Sequence, residues 1–307
     1  MEKSIILIPY AEDPKKKSGV NIHDNTNRKE IYLKNCCVAA ISAKKYNANS
    51  DVALVTNTEI PQDYLNILNK NSVLVIYENY DEFVFGDDYN WSLAFYKLCT
   101  LSKVLKKYNY EYYAYLDSDV YVQNSFDNIW KECDQHIMMY DISHGLQVTH
   151  YGEMIEEFNK FFGELKMITH YGGEFFAASH ENAKNFIEKC SIVYHEMKNN
   201  HIITTHGDEF IISIAAYYLG GLVKNASPYI FRFWTGEFYL VSTSFQYNPI
   251  TVLHVPNEKE RGMLKLFHKY IKKDRLPSNK IVWKICHLQK PRTIDVIKKK
   301  IRSLIKK

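Results

Sequence analysis

The 307-residue sequence predicts an α/β fold in which helices flank a largely parallel sheet. Three observations lead to this prediction. Short apolar runs typical of buried strands alternate with longer segments of helical apolar spacing. The length suits one large α/β domain with a small C-terminal addition. The apolar run at residues 113–122 delivers two carboxylates at its end, which indicates a ligand site at one edge of the sheet.

The first half of the chain is the regular part of this alternation. The predicted strands lie at residues 4–10, 51–56, 72–77 and 113–122. The predicted helices between them lie at residues 30–46, 62–69 and 91–107. Parallel strands joined by helices need right-handed crossovers. The carboxyl ends of these strands should therefore share one edge of the sheet.

The second half is less regular. A strand is expected near residues 136–140, and the polar segment that follows, up to His170, is long enough for a lid or an acceptor loop. Gly172 and Gly173 open the next strand, where they permit close approach of a ligand or backbone, unless they mark a plain bulge. The remaining elements are helices at 181–199 and 210–219 and strands around 229–241 and 251–255.

Asp117 and Asp119 are the most informative residues of the sequence. On a continuous strand they would project to opposite faces, so they converge on one ligand only if the chain turns out of the sheet there. Mn²⁺ or Mg²⁺ would give them a reason to converge, because these ions take carboxylate ligands and accept the phosphates of a nucleotide. A chance match at a solvated strand end is the alternative.

Two later positions also carry candidate chemistry. Asp208 and Glu209 begin a helix, where acids are favoured by the helix dipole, so a structural role stands beside a catalytic one. His254 follows the last predicted strand, and a lone histidine is more often packed or solvated than a ligand.

The composition argues against several classes of protein. The six cysteines show no metal-binding or CxxC spacing and are expected to be reduced core residues. No run approaches the ~20 apolar residues of a membrane span, and the start does not resemble a signal peptide, so a cytoplasmic location is expected. Nucleic-acid binding is not expected, because the basic residues concentrate in one tail and no recognised module is present.

That tail is predicted to form a basic amphipathic helix. Its apolar residues recur at steps of three, four and three: Ile294, Ile297, Ile301 and Leu304. The basic residues of this segment are Lys298, Lys299, Lys300, Arg302, Lys306 and Lys307. Such a helix suits an anionic membrane surface, and the alternative is a helix packed on the domain with a solvated lysine face.

Taken in order, these features resemble the GT-A fold glycosyltransferases that use sugar nucleotides, over roughly residues 4–256. The closest resemblance is to family 8, the bacterial lipooligosaccharide galactosyltransferase and glycogenin group. It rests on the first strand, CVAAIS at 37–42, Lys97-Leu98, LDSDVYV at 116–122, Ser125-Phe126 with Trp130, the Gly173 strand, the Asp208 helix start and His254.

The resemblance implies a single Rossmann-like mixed sheet flanked by helices. It divides the chain into a catalytic domain at 1–260, with a nucleotide-sugar half at about 1–122 and an acceptor half at about 123–260, and a helical basic tail at 261–307. It also implies that Asp117, Asp119 and His254 bind Mn²⁺, which holds the diphosphate of a UDP-sugar. The residues expected to contact this donor are Tyr10, Lys97, Ser118, Gly173 and Lys259.

Two departures from family 8 affect these roles. The segment after His254 lacks the usual glycine and Lys-Pro-Trp pattern, so Lys259 or Arg261 is expected to replace its phosphate contacts. The Asp208-Glu209 pair instead resembles family 6, the blood-group A/B type transferases, as does YGGEFF at 171–176. This second resemblance implies that Glu209 lies beneath the anomeric carbon, as nucleophile or as stabiliser of an oxocarbenium-like state, and that Asp208 binds hydroxyls of the donor sugar.

Both families retain anomeric configuration. The resemblance therefore implies a retaining hexosyltransferase that uses a UDP-sugar and a glycan or lipid-linked acceptor in bacterial surface polysaccharide synthesis. One alternative is a catalytically silent sugar-binding or adaptor domain of the same fold. Another is a haloacid dehalogenase-type phosphatase, whose Asp-x-Asp normally opens the domain, whereas three predicted strands precede it here.

Overall fold

The computed structural model describes residues 4–13, 27–86, 91–143, 149–235 and 250–288, together with Ile22, Tyr89, Ile297 and Ile301. Its strands are β1 (Ser4–Tyr10), β2 (Asp51–Thr56), β3 (Leu74–Tyr77), β4 (Tyr112–Leu116), β5 (Val120–Val122), β6 (Ile137–Asp141), β7 (Tyr171–Ser179), β8 (Val223–Asn225), β9 (Ile230–Arg232) and β10 (Val252–His254). Its helices are α1 (Arg28–Tyr46), α2 (Gln62–Lys70), α3 (Tyr96–Lys107), α4 (Asp127–Cys133), α5 (Thr149–Phe162), α6 (His180–Asn199), α7 (Asp208–Leu219), α8 (Gly262–Lys273) and α9 (Asn279–Ile285).

The central sheet has seven strands in the order β3-β2-β1-β4-β7-β6-β8. Strands β1 to β4 are parallel, β7 runs antiparallel to both β4 and β6, and β8 is parallel to β6. The alternation of strands and helices in the first half explains the parallel part, since each helix carries the chain back to the start of the next strand. The predicted mixed sheet flanked by helices is confirmed.

A second sheet of three strands, in the order β5-β10-β9, was not predicted. The run predicted as one strand at 113–122 divides into β4 and β5, because the chain turns at residues 117–119. β5 leaves the central sheet and pairs antiparallel with β10, which places His254 opposite Val120. Because the chain turns here, Asp117 and Asp119 can both face one ligand.

The two faces of the central sheet bury two separate apolar clusters. Ile6 and Ile8 of β1 pack on the side of α1, whereas Ile5 and Leu7 pack on the side of α3, α6 and α7. This division follows from the two-residue period of a strand. All six cysteines are buried and free, which confirms their predicted place in the core.

Parts of the second half differ from the sequence prediction. The segment predicted as a lid or acceptor loop contains α5, whose Met154 and Phe158 are buried in the core. The strand predicted around 229–241 is present as β9, and its part beyond residue 235 lies outside the described residues. The short strand β8 was not anticipated.

The C-terminal helices α8 and α9 pack on the rest of the fold. Met263, Leu266 and Phe267 join the apolar cluster that includes α1. The predicted boundary at residue 260 stays a prediction, and packing continues across it. Of the predicted amphipathic helix, the structure describes Ile297 and Ile301, which are helical and half exposed; the rest lies outside the described residues. None of the described helices is long and apolar enough to cross a membrane.

Candidate active site

Asp117, Asp119 and His254 lie together at the carboxyl end of β4, and we call them the ligand cluster. One ligand atom from each residue lies within 4.8 Å of the others. His254 Nε2 is 3.3 Å from Asp119 Oδ2 and 4.0 Å from Asp117 Oδ2. Among the described residues, no donor has the geometry of a hydrogen bond to the buried Oδ2 of Asp119. Two carboxylates and one imidazole at this spacing fit a single divalent cation such as Mn²⁺ or Mg²⁺.

The orientation of His254 is set by Glu174, a buried carboxylate on β7 of the central sheet. Its Nδ1 lies 3.1 Å from Oε1 of Glu174, which leaves Nε2 directed at the two aspartates. A carboxylate behind a histidine ligand is a common arrangement in metal sites. Although burial lowers the pKa of His254, the charges of Asp119 and Glu174 raise it to about 9. A bound cation would take the place of this proton.

A lysine balances the ligand cluster. Nζ of Lys259 lies 3.1 Å from Asp119 Oδ2, and both side chains are largely buried. Burial by itself would raise the pKa of Asp119, but Lys259 and His254 together lower it far below its ordinary value. Asp119 is therefore ionised, as a metal ligand must be.

Asp208 and Glu209, which we call the α7 carboxylates, begin helix α7 opposite the ligand cluster. Lys97 of α3 joins the two groups, because its Nζ lies 2.9 Å from Asp208 Oδ2 and 3.1 Å from Asp117 Oδ1. This lysine is mostly buried, with 11% of its side chain exposed. Burial raises the pKa of Asp208 to about 6; Lys97 opposes this shift, whereas Glu209 and Asp117 add to it.

Glu209 is held by two partners. Its Oε1 lies 3.0 Å from Nη2 of Arg232, and its Oε2 lies 2.9 Å from Nε2 of His170. The side chain is 18% exposed and borders the cavity described below. A fixed carboxylate with partial access to a cavity is suited to act on a bound ligand.

Glu174 and Arg232 are the main residues of this site that the sequence analysis did not identify. Glu174 is completely buried in β7, and its two oxygens lie 2.7 Å and 2.5 Å from Nε and Nη2 of Arg232. Burial opposes ionisation, but Arg232 and His254 lower the pKa of Glu174 to about 2. A charged residue inside an otherwise apolar strand was the available signal for Glu174.

The two glycines of β7 make room for these ion pairs. A Cβ on Gly173 would lie 2.3 Å from Asp208 Oδ2, and one on Gly172 would lie 2.0 Å from Glu174 Oε2. The β6–β7 register is also irregular here, because Met139 pairs with Phe176 whereas Tyr140 pairs with Gly172. Gly172 and Gly173 therefore lie at a bulge and also allow side chains to approach the backbone closely.

A cavity of about 530 Å³ is lined by Asp117 and Asp119 of the ligand cluster and by both α7 carboxylates. Its volume falls in the usual range for small-molecule sites. Four of the residues predicted to contact the donor line it: Tyr10, Lys97, Ser118 and Lys259. Gly173 is crowded by Lys97 and Asp208, so its predicted donor contact stays a prediction.

No protein-family model matches the sequence, and neither does any curated protein. The fold is similar to a crystal structure of galactosyltransferase LgtC in complex with donor and acceptor sugar analogs, with a TM-score of 0.52 and 16% identity. It is also similar to that of an active-site mutant of LgtC, with a TM-score of 0.53 and 18% identity. Each match covers 82% of this chain and 86% of the other. The chain therefore has the GT-A fold.

Proposed function

We propose that the protein is a metal-dependent, retaining glycosyltransferase that moves a hexose from a UDP-sugar to a glycan or lipid-linked acceptor. The observation that carries this proposal is that Asp117 and Asp119 of the ligand cluster line the same cavity as both α7 carboxylates. A nucleotide sugar has a diphosphate at one end and a reacting sugar at the other. The two groups match these two chemical needs.

The ligand cluster serves the diphosphate. A cation held by Asp117, Asp119 and His254 would neutralise the negative charge that develops on the departing nucleoside diphosphate. Lys259 adds a fixed positive charge to the cavity wall beside Asp119. Tyr10 and Ser118 border the same end of the cavity.

The α7 carboxylates serve the sugar. We place Glu209 beneath the anomeric carbon, where its negative charge stabilises an oxocarbenium-like state or attacks directly. His170 and Arg232 hold its oxygens in place. Asp208 accepts hydrogen bonds from sugar hydroxyls when ionised. A covalent intermediate and a same-face reaction guided by the leaving phosphate are both compatible with this arrangement.

Two other functions fit the site less well. A silent sugar-binding or adaptor domain has no need for a complete ligand cluster together with a fixed Glu209. The fold similarity to LgtC supports a transferase over a haloacid dehalogenase-type phosphatase.

The test is a nucleotide-sugar hydrolysis panel with and without Mn²⁺, followed by NMR of the released sugar. We expect Mn²⁺-dependent turnover of at least one UDP-hexose with an α-configured first product. The double variant Asp117→Asn and Asp119→Asn is the control and should remove the Mn²⁺ dependence. Donor binding without turnover of any donor would favour the silent domain, and a β-configured product would exclude retention.

We further propose that the acceptor is presented at the inner face of a bacterial membrane during surface polysaccharide synthesis, with the basic tail on anionic lipid. The last two turns of α8 support this idea, since Lys269, Lys272 and Lys273 are exposed there together with the half-exposed Ile271. Truncation after Lys290 should abolish binding to anionic vesicles and spare donor hydrolysis. Equal vesicle binding by both forms would exclude the tail as an anchor.

A further inference from the structure

Glu174 occupies a central position that the proposed reaction does not by itself explain. Its carboxylate is completely buried, although a buried charge is costly unless it is fully paired. Glu174 is not one of the described residues that line the cavity, so it does not touch the proposed donor. Its role must therefore be carried by the groups that it contacts.

Those contacts reach both ends of the site. The Glu174 backbone oxygen accepts a hydrogen bond of 3.1 Å from the amide of Asp117, the first residue of the ligand cluster. Its side-chain Oε1 lies 3.1 Å from Nδ1 of His254. The same carboxylate holds Arg232 through two nitrogens, and Nη2 of Arg232 also contacts Glu209.

The surrounding backbone is shaped to admit this side chain. Gly172 leaves the space that the carboxylate and Arg232 fill, since a Cβ there would lie 2.0 Å from Glu174 Oε2 and 2.7 Å from Arg232 Nη2. The irregular register between β6 and β7 spans the same residues. Bulges of this kind re-aim a side chain at the edge of a functional site.

We propose that Glu174 is a positioning residue that fixes His254 toward the metal and, through Arg232, fixes Glu209 toward the sugar. This inference rests on the proposed function. A single buried carboxylate would then set the distance between the ligand cluster and the α7 carboxylates. Arg232 suits this role because its planar guanidinium can bind two carboxylates in fixed directions, which a lysine cannot.

The main test is Glu174→Gln, which keeps the shape of the side chain and removes its charge. We expect Mn²⁺ affinity, measured from the EPR signal of the free ion, to fall by about 10–100-fold. At saturating Mn²⁺, kcat should still fall, because the Arg232 contact is weakened as well. The KM for the donor should change less than kcat.

Arg232→Lys separates the effect of Glu174 on His254 from its effect on Glu209. It leaves the Glu174–His254 contact in place, so Mn²⁺ affinity should stay at the wild-type value while kcat falls. At saturating Mn²⁺ the effects of Glu174→Gln and Arg232→Lys on kcat should be non-additive, because both act through Glu209. Glu78→Gln is the matched control, since Glu78 is also a buried, ion-paired glutamate, but its partner is Lys107. It should change neither quantity.

The outcomes are distinct. Wild-type Mn²⁺ affinity in a folded Glu174→Gln variant, or strictly additive effects on kcat, would overturn the positioning role. If Glu174→Gln does not fold, Glu174→Asp keeps the charge but shortens the reach, and the same two measurements decide. Wild-type protein that neither binds Mn²⁺ nor turns over any nucleotide sugar would instead reject the proposed function.

Discussion

Asp119 and Asp208 both line one cavity, and they differ in the charges around them. Both side chains are almost completely buried, at 1% and 3% exposure, and both face a lysine. Nevertheless the pKa of Asp119 is lowered, whereas the pKa of Asp208 is raised to about 6. Burial alone would raise both pKa values.

The balance of neighbouring charges explains the difference. Lys259 and His254 both face Asp119, so their combined attraction exceeds the cost of burial. Lys97 is shared between Asp208 and Asp117, and Glu209 adds a like charge next in sequence. Asp119 is therefore kept ionised for a cation, whereas Asp208 takes up a proton near pH 6.

The largest expected effect is on the side of the α7 carboxylates. Glu209→Ala should lower turnover by about 10²–10³-fold, because it removes the negative charge proposed beneath the anomeric carbon. Donor affinity, measured by calorimetry, should stay near wild type, since the diphosphate is bound by the other side. Unchanged turnover would remove Glu209 from the mechanism.

On the side of the ligand cluster, Asp119→Asn should weaken Mn²⁺ binding by about 100-fold or more, since even changes behind a ligand cost 10–100-fold. Asp208→Asn is the matched variant, an equally buried aspartate that does not belong to the cluster, and its Mn²⁺ affinity should stay close to wild type. Titration calorimetry measures both. Equal losses would mean that the two sides do not act separately.

The pH dependence of stability should differ in sign between the two aspartates. The raised pKa of Asp208 means that its contribution to the stability of the metal-free wild type falls as pH rises from about 4 to about 6. Asp208→Asn lacks this titration, so it should gain on wild type by roughly 3 kcal/mol over that range, at 1.36 kcal/mol per pKa unit.

For Asp119 the stabilising contribution is present above about pH 4 and lost as pH falls, because its folded-state pKa is lowered. The free energy of unfolding of Asp119→Asn should therefore fall relative to that of wild type as pH rises through that value. Urea unfolding with EDTA between pH 3 and 7 measures both differences. If the free energies of unfolding of wild type and both variants changed with pH in parallel, the proposed difference between Asp119 and Asp208 would be wrong.

The smallest effect is expected for Gly173→Ala. The new methyl group would press on the Asp208–Lys97 pair and should destabilise the protein by about 1–3 kcal/mol. Gly221→Ala is the control, since a Cβ there meets nothing within 4 Å. Thermal unfolding with equal losses for both variants would show that Gly173 is not needed for close approach.

Much of the fold was predictable because strands and helices leave periodic apolar patterns. The strands at 4–10 and 51–56 and helix α6 follow their predicted ranges closely. The sequence did not predict the break between β4 and β5 outright. It indicated only that Asp117 and Asp119 could share a ligand if the chain turned between the two strands. The small sheet was not predictable, because its three short strands carry too few residues to show a period.

The sequence by itself determined the order of elements, the two acids at a strand end and the set of side chains from which the candidate site is built. Only the tertiary structure decided which positive side chain faces which carboxylate, and with it the opposite pKa shifts of Asp119 and Asp208. Glu174 meets Arg232 and His254 from 58 and 80 residues away. Pairing over such separations leaves no periodic trace in a sequence, because it depends on where folding brings the segments together.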